Sequence, residues 1–245
     1  MKICSRAIVG WTLAGAVSAA SAAETPLSIV ASACPAIPAN RTVAVVTSQP
    51  MSVGQSIVLA VAVDSADAVD LAVSGPPGVT WSGLGGHKSE GRDRSVLLLR
   101  GSASQAVAAG GTVSLNFGLV DAARSVCVRG MRYASFVAGP GAFETDGQAM
   151  GGTATASVIG KGGASGSMAI AAFVFEANPN ALVLSPGAIS DGGACNAALD
   201  LCLRMAHQGD VAGTVAMDMT PASASNWQVT LAVLATPEIF KDSFE

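Results

Sequence analysis

The pattern that indicates the fold is clearest at residues 53–81, VGQSIVLAVAVDSADAVDLAVSGPPGVTW. A glycine precedes a run of strand-forming residues, an acidic turn follows, and a second short apolar run leads into Gly-Pro-Pro-Gly. Two consecutive prolines cannot donate hydrogen bonds to a β-ladder, so the second run must end there. The same order of short apolar runs and small-residue turns recurs along the chain, which predicts an all-β protein.

The composition agrees with many short strands. Of 245 residues, 50% are hydrophobic, 28 are glycine and only 12% are charged, and glycine and threonine form helices poorly. Without the N-terminal segment described below, 11 basic residues face 17 acidic ones, a net charge of −6. Nucleic acid is therefore excluded as an expected partner, because binding it needs a concentrated positive surface.

The quoted stretch also resembles the opening strands of bacterial immunoglobulin-like repeats. In those repeats a glycine-led strand is followed by a hairpin and a Pro-Pro-Gly corner, as in VGQSIVLAVAV…DLAVSGPPGVTWS at residues 53–82. The cysteine–tryptophan–cysteine signature of antibody domains is not present. The resemblance implies an immunoglobulin-like β-sandwich and no particular activity. We expect either two small sandwiches or one enlarged sandwich.

The N-terminus has the three parts of an export signal. Lys2 and Arg6 precede an apolar run at residues 7–17, and the small residues SAASAA follow at 18–23. The apolar run is about half as long as the roughly 20 residues that a membrane span needs. We therefore expect residues 1–23 to be a removable signal peptide and the mature chain not to be an integral membrane protein.

The remaining chain divides into three parts. We expect an immunoglobulin-like sandwich at residues 24–141, a second β-rich domain at 142–235 and a tail at 236–245. The tail ends in Ile-Phe-Lys-Asp-Ser-Phe-Glu, which resembles a short C-terminal motif of secreted proteins in some Gram-negative bacteria. Sorting or processing after export and an ordinary end that packs on the sandwich both stay open for it. The expected location is extracellular or periplasmic, in a Gram-negative envelope.

Four cysteines follow the signal peptide, and export predicts that they form disulfides. We favour the disulfides Cys34–Cys127 and Cys195–Cys202, because each of these pairs lies within one half of the chain. A helix would separate the second pair by about 10.5 Å, which is beyond the reach of a disulfide. Residues 190–209 are therefore either a bridged loop or a segment with a helix whose cysteines pair otherwise.

Side-chain alternation gives further expectations about single strands. Residues 56–63 have a large-residue face and a small-residue face, which predicts that the second face is lightly covered. Residues 168–175 are apolar on both faces, which predicts a central strand. Residues 214–219 and 226–233 each have one apolar face, and their adjacency in the sequence predicts a terminal hairpin.

The most polar stretch is GLGGHKSEGRDR at residues 83–94. It is expected to be an exposed hairpin loop. Its charges either keep the protein soluble or form a recognition loop on a rigid sandwich. The candidate recognition residues are His87, Lys88, Glu90, Arg92, Asp93 and Arg94.

No catalytic, cofactor-binding or metal site is predicted. The two histidines, His87 and His207, lie in no motif, and the chain has no nucleophile elbow and no dinucleotide or phosphate loop. Asp64, Asp67 and Asp70 form the densest carboxylate group. Oxygen ligands suit calcium, but the spacing is not that of a calcium loop, so a solvated turn is expected.

The sequence therefore favours an exported, non-catalytic surface module that binds an unknown protein or glycan, without a cofactor. Two other classes stay open. One is an accessory domain of a secreted enzyme, or a secreted hydrolase whose site the sequence does not reveal. The other is a structural component of the envelope.

Overall fold

The structure, a computed structural model, describes residues 28–89, 93–122, 124–133, 143–151, 155–161, 167–176, 182–196, 198, 200–221 and 226–234. The expected signal peptide and tail lie outside these residues. The first half contains the 3-10 helix η1 (Ala66–Asp70) and the strands β1 (Ser28–Ala33), β2 (Thr42–Val46), β3 (Ser56–Val63), β4 (Leu71–Ser74), β5 (Val79–Ser89), β6 (Arg94–Ala103), β7 (Thr112–Phe117) and β8 (Val126–Tyr133). The second half contains β9 (Phe143–Gly151), β10 (Ala156–Lys161), β11 (Ser167–Phe175), β12 (Leu182–Leu184), β13 (Ile189–Asn196), β14 (Leu201–Val211), β15 (Thr214–Pro221) and β16 (Trp227–Leu234).

Each half forms one five-stranded and one three-stranded antiparallel sheet. The strand orders are β1-β8-β3-β6-β5 and β2-β7-β4 in the first half, and β9-β16-β11-β14-β13 and β10-β15-β12 in the second. The chain crosses repeatedly between the two sheets of a half, so short connections hold the sheets face to face. An all-β, sandwich-type fold is thus confirmed. The immunoglobulin-like assignment and a domain boundary at residue 141 stay predictions.

Alternating side chains fill one core inside each half. The first core packs Val43, Val45, Val113, Leu115 and Phe117 of the three-stranded sheet against Leu59, Val61, Leu97, Leu99 and Val128. The second core packs Val158, Val215, Met217 and Met219 of the three-stranded sheet against Ala171, Phe173, Phe175, Val229 and Leu231. Aliphatic residues dominate both cores, and the second core adds Met217 and Met219, as expected from a chain with few aromatic residues.

A third core joins the halves, because the two five-stranded sheets pack on each other. It combines Val58, Ala60, Ala62, Val96, Leu98 and Met131 with Ile170, Ala172, Val174, Leu203 and Met205. The four sheets therefore form successive layers of three, five, five and three strands.

This third core explains the burial of the two central strands. Every residue of β3 and β11 is buried, which confirms that β11 is central. The expectation that one face of β3 is only lightly covered was wrong. Val58, Ala60 and Ala62 on that face pack against the second half, where small side chains allow two sheets to approach closely.

Two other expectations about strands were wrong. β15 and β16 do not form a hairpin, since β15 pairs with β10 and β12 whereas β16 pairs with β9 and β11. Adjacency suggests pairing, but the chain changes sheet between these strands. Residues 83–89 also belong to β5 rather than to a loop, because they continue the ladder with β6 until Ser89 faces Arg94.

Both expected cysteine pairs lie at disulfide distance. The Sγ atoms are 2.06 Å apart in Cys34–Cys127 and 1.97 Å apart in Cys195–Cys202. The second pair joins opposite residues of the hairpin formed by β13 and β14, so residues 190–209 contain two strands. Two disulfides fit an oxidising, non-cytoplasmic compartment. Within the described ranges, no helix is long and apolar enough to cross a membrane.

Candidate functional site at the charged end

The strand directions give the molecule two different ends. Arg94, which begins β6 next to the last residue of β3, contacts Glu176, which follows β11. β3 and β11 therefore end on the same side of the molecule. Because the pairings are antiparallel, the odd-numbered strands all end on this side, and the even-numbered strands end on the other.

Charged residues in the connections are concentrated at the end where β3 and β11 end, which we call the charged end. The described connections there carry Asp64, Asp67, Asp70, Asp93, Asp121, Glu176 and Asp200, against Arg41 and Arg124. At the opposite end, the described connections at residues 47–55, 75–78, 104–111, 185–188 and 212–213 contain no charged residue. The excess of carboxylates gives the charged end a negative field that attracts cationic groups.

Arg94 joins the two halves at the charged end. Its side chain is only 10% exposed, and its Nη1 lies 3.2 Å from Oε1 of Glu176. Its Nε lies 4.0 Å from Oδ1 of Asp64, and Asn226 donates a hydrogen bond to Glu176. Asp64 and Glu176 each follow the central strand of their sheet, so one guanidinium compensates two carboxylates where the five-stranded sheets meet.

A second set of contacts orders the connection after β3. The side chain of Ser65 caps η1 by accepting a hydrogen bond from the backbone N–H of Asp67 at 3.2 Å. The first N–H of η1 donates to Oδ1 of Asp93 at 3.3 Å, and Nη2 of Arg124 lies 2.7 Å from Oδ2 of that carboxylate. These contacts fix the backbone while Asp67 and Asp70 stay exposed.

The acidic run after β3 does not gather into a metal site. Asp64 points to Arg94 and Arg124, whereas Asp67 and Asp70 face solvent. Among the described residues, no group of three or more histidine, cysteine or acidic side chains is placed to hold a metal ion.

The described candidate recognition residues lie at the end of the β5–β6 hairpin, but in different environments. Lys88 is exposed and His87 half-buried, and both lie in β5. Asp93 belongs to the contacts around η1. Arg94 is not on the loop surface, because its pairing with Glu176 turns it inward to 8% exposure. Glu90 and Arg92 lie outside the described residues, and the recognition role of the set stays a prediction.

A buried polar cluster between the five-stranded sheets was not predicted from the sequence. Oδ1 of Asp191 in β13 lies 2.8 Å from Nδ1 of His207 in β14, and the residues are 7% and 3% exposed. Arg129 of β8 donates from Nε, at 3.0 Å, and from Nη2 to the backbone carbonyl oxygen of Asp191. An isolated aspartate and histidine give no signal in a sequence until the strand register places them side by side.

Burial determines the electrostatics of this cluster. Removal from water lowers the pKa of Arg129 from its ordinary value, Asp191 opposes this change, and Arg204 adds to it. The guanidinium nevertheless stays charged at neutral pH, so it needs the carbonyl and the nearby carboxylate of Asp191 as partners. A catalytic acid–base pair must reach its substrate, whereas Asp191 and His207 are buried at the contact between the five-stranded sheets.

Comparisons with known proteins identify no relative: no family model, no curated protein and no solved structure matches the chain. No activity is therefore transferred to it from another protein.

Proposed function

We propose that the chain is an exported, non-catalytic β-sandwich module that binds a protein or glycan through its charged end. The two disulfides and the N-terminal sequence support export. The resemblance of the C-terminal tail supports the extracellular space or periplasm of a Gram-negative bacterium as its location.

The observation that carries the proposal is the unequal distribution of charge between the two ends. Binding residues are often placed in loops that a rigid scaffold positions. Here the connections of both halves meet at the charged end, and four of its carboxylates are exposed: Asp67, Asp70, Asp121 and Asp200. Such a surface favours a partner rich in lysine or arginine, or a glycan that carries amino groups.

Binding to envelope fractions and to a glycan array tests this proposal. The mature protein is compared with a variant in which Asp67, Asp70, Asp121 and Asp200 are all replaced by Asn. Because these side chains are exposed, the variant should fold normally. We expect its affinity to fall at least about tenfold and its binding to depend less on salt, since charge attraction is screened by salt.

A matched pair of single variants locates the binding surface. Asp200 and Asp210 lie near opposite ends of β14, and both have positive φ values, 46° and 51°, which asparagine tolerates. Asp200→Asn should weaken binding and Asp210→Asn should not. Equal effects of the two, or full binding by the quadruple variant, would exclude the charged end. Hydrolysis of a bound glycan or peptide would support the secreted hydrolase instead.

A further inference from the structure

Each strand of the first half has a counterpart eight strands later. The order β1-β8-β3-β6-β5 corresponds to β9-β16-β11-β14-β13, and β2-β7-β4 corresponds to β10-β15-β12. All sixteen described strands obey this single shift. The same arrangement of eight strands has therefore been built twice along the chain.

The two halves also share sequence at one corner. LAVSGPPG at residues 71–78 and LVLSPG at residues 182–187 both end a strand of the three-stranded sheet with Ser, Pro and Gly. Gly78 and Gly187 have nearly the same φ, 81° and 84°, a left-handed conformation that favours glycine. The strand that follows each corner then carries a bulge, at Leu84 in β5 and at Asp191 in β13.

The packing between the halves has two-fold character. β1 lies against β13 while its counterpart β9 lies against β5, and β8 lies against β14 while its counterpart β16 lies against β6. When each strand is replaced by its counterpart in the other half, the same set of strand contacts results, and this property defines an isologous interface. Since β3 and β11 end on the same side, the pseudo-two-fold axis runs parallel to them.

We propose that the chain is a fused pair of copies of one eight-strand unit, that the five-stranded sheet of each unit is a docking surface for a second copy, and that Arg129 makes this docking specific for unlike halves. This inference does not depend on the proposed binding function. It assigns the buried polar cluster a role in choosing the partner.

The interface departs from symmetry at this cluster. Arg129 faces Ala60 in the β8–β3 ladder, and its counterpart Thr230 faces Ala172 in the β16–β11 ladder. The bulge residue opposite Arg129 is Asp191, whereas the equivalent bulge residue on the other side of the axis is Leu84. The contact of Arg129 therefore exists on one side of the axis only, in addition to the Arg94–Glu176 contact at the charged end.

This asymmetry disfavours pairs of like units. Two second units would leave the carbonyl group of Asp191 facing threonine instead of a guanidinium. Two first units would place Arg129 against Leu84, without the carboxylate that compensates its buried charge. Specificity arises when the wrong pair leaves buried polar groups without partners, so the unlike pair present in the chain is preferred.

Cleavage between the halves tests the proposal. A protease site is placed within residues 134–142 of the full chain, the folded protein is cut, and the products are examined by native mass spectrometry over a dilution series. Neither disulfide joins the halves, so only non-covalent docking can hold them together. We expect one-to-one pairs of unlike halves.

Substitution of Arg129 tests the specificity. The variant Arg129→Thr introduces the residue found at the counterpart position, Thr230. After cleavage of this variant, we expect the dissociation constant between the halves to rise about 10- to 100-fold, because a hydrogen bond to a charged group is lost. We also expect pairs of like halves to form. Arg132→Thr is the matched control. Arg132 lies on the same strand but bonds to Pro50 within its own half, so its loss should leave the pairing unchanged.

Two results would overturn the proposal. One is the separation of the cut wild-type halves at micromolar concentration. The other is an Arg129→Thr protein that pairs like the Arg132→Thr control. If Arg129→Thr fails to fold before cleavage, Arg129→Lys decides the question, because it keeps the charge but loses the two-donor contact. Its dissociation constant must then exceed that of the wild type.

Discussion

Arg94 and Arg129 are arginines of the first half that bind groups of the second, and neither contact could be predicted from the sequence. Residues 83–94 are polar in the sequence, but polarity alone does not show which charged residue turns inward. The acceptor of Arg129 lies 62 residues away. Only the stacking of the two five-stranded sheets brings these groups together.

Gly192 lies beside Arg129 in a conformation that favours glycine. Its φ is +75°, and a Cβ at this position would lie 2.7 Å from Nη2 of Arg129. Gly192→Ala should therefore reduce the free energy of unfolding by about 3 kcal/mol, since it combines left-handed strain with displacement of a charged hydrogen bond. Denaturant unfolding measures this change.

Gly213 provides the control for Gly192. Its φ is +67°, but nothing lies within 4 Å of the position of its Cβ. Gly213→Ala should cost only the backbone strain, about 1 kcal/mol. Equal losses at Gly192 and Gly213 would show that the contact with Arg129 contributes nothing.

At the scale of elements, alternation of apolar residues located most strands but not their partners. The all-apolar pattern of β11 correctly predicted a central strand. The pattern of β15 and β16 gave the correct buried faces but the wrong pairing, because each strand contributes to a different sheet. Periodicity reports which face of a strand is buried, whereas pairing depends on contacts far apart in the sequence.

The small-residue face of β3 can be tested by overpacking. Ala60 is fully buried between the five-stranded sheets, so Ala60→Leu should destabilise the protein by about 2 kcal/mol. Ala44→Leu places the same side chain at an exposed position of β2 and should change stability by less than about 0.5 kcal/mol. If thermal denaturation shows equally small effects for both, the face of β3 is only lightly covered after all.

The two disulfides should contribute unequally to stability. Their sequence separations are 93 and 7 residues, and a cross-link stabilises more when it closes a longer loop. The loop-entropy relation gives about 4.7 kcal/mol for Cys34–Cys127 and about 2.5 kcal/mol for Cys195–Cys202. Paired Cys→Ala variants, unfolded in urea without reductant, measure the difference. A larger loss for the short loop would contradict this ranking.

For the whole molecule, the sequence predicted the all-β fold, left open whether it is two small sandwiches or one enlarged one, and did not predict the duplication. The corner at residues 71–78 was identified from the sequence. Its counterpart at residues 182–187 was not identified, because it lacks one glycine and one proline. Strand order is shared even where the residues differ, so the repeat became visible only from the topology. The gathering of the charged connections at one end likewise depends on the strand directions.

Because the two halves share a core, they should unfold as one cooperative structure. Differential scanning calorimetry of the full chain measures this cooperativity. We expect a single transition whose calorimetric and van't Hoff enthalpies agree, and Ala60→Leu should shift that transition as a whole. Two separate transitions, with only one of them shifted by Ala60→Leu, would contradict a shared cooperative core, because the halves would then unfold independently.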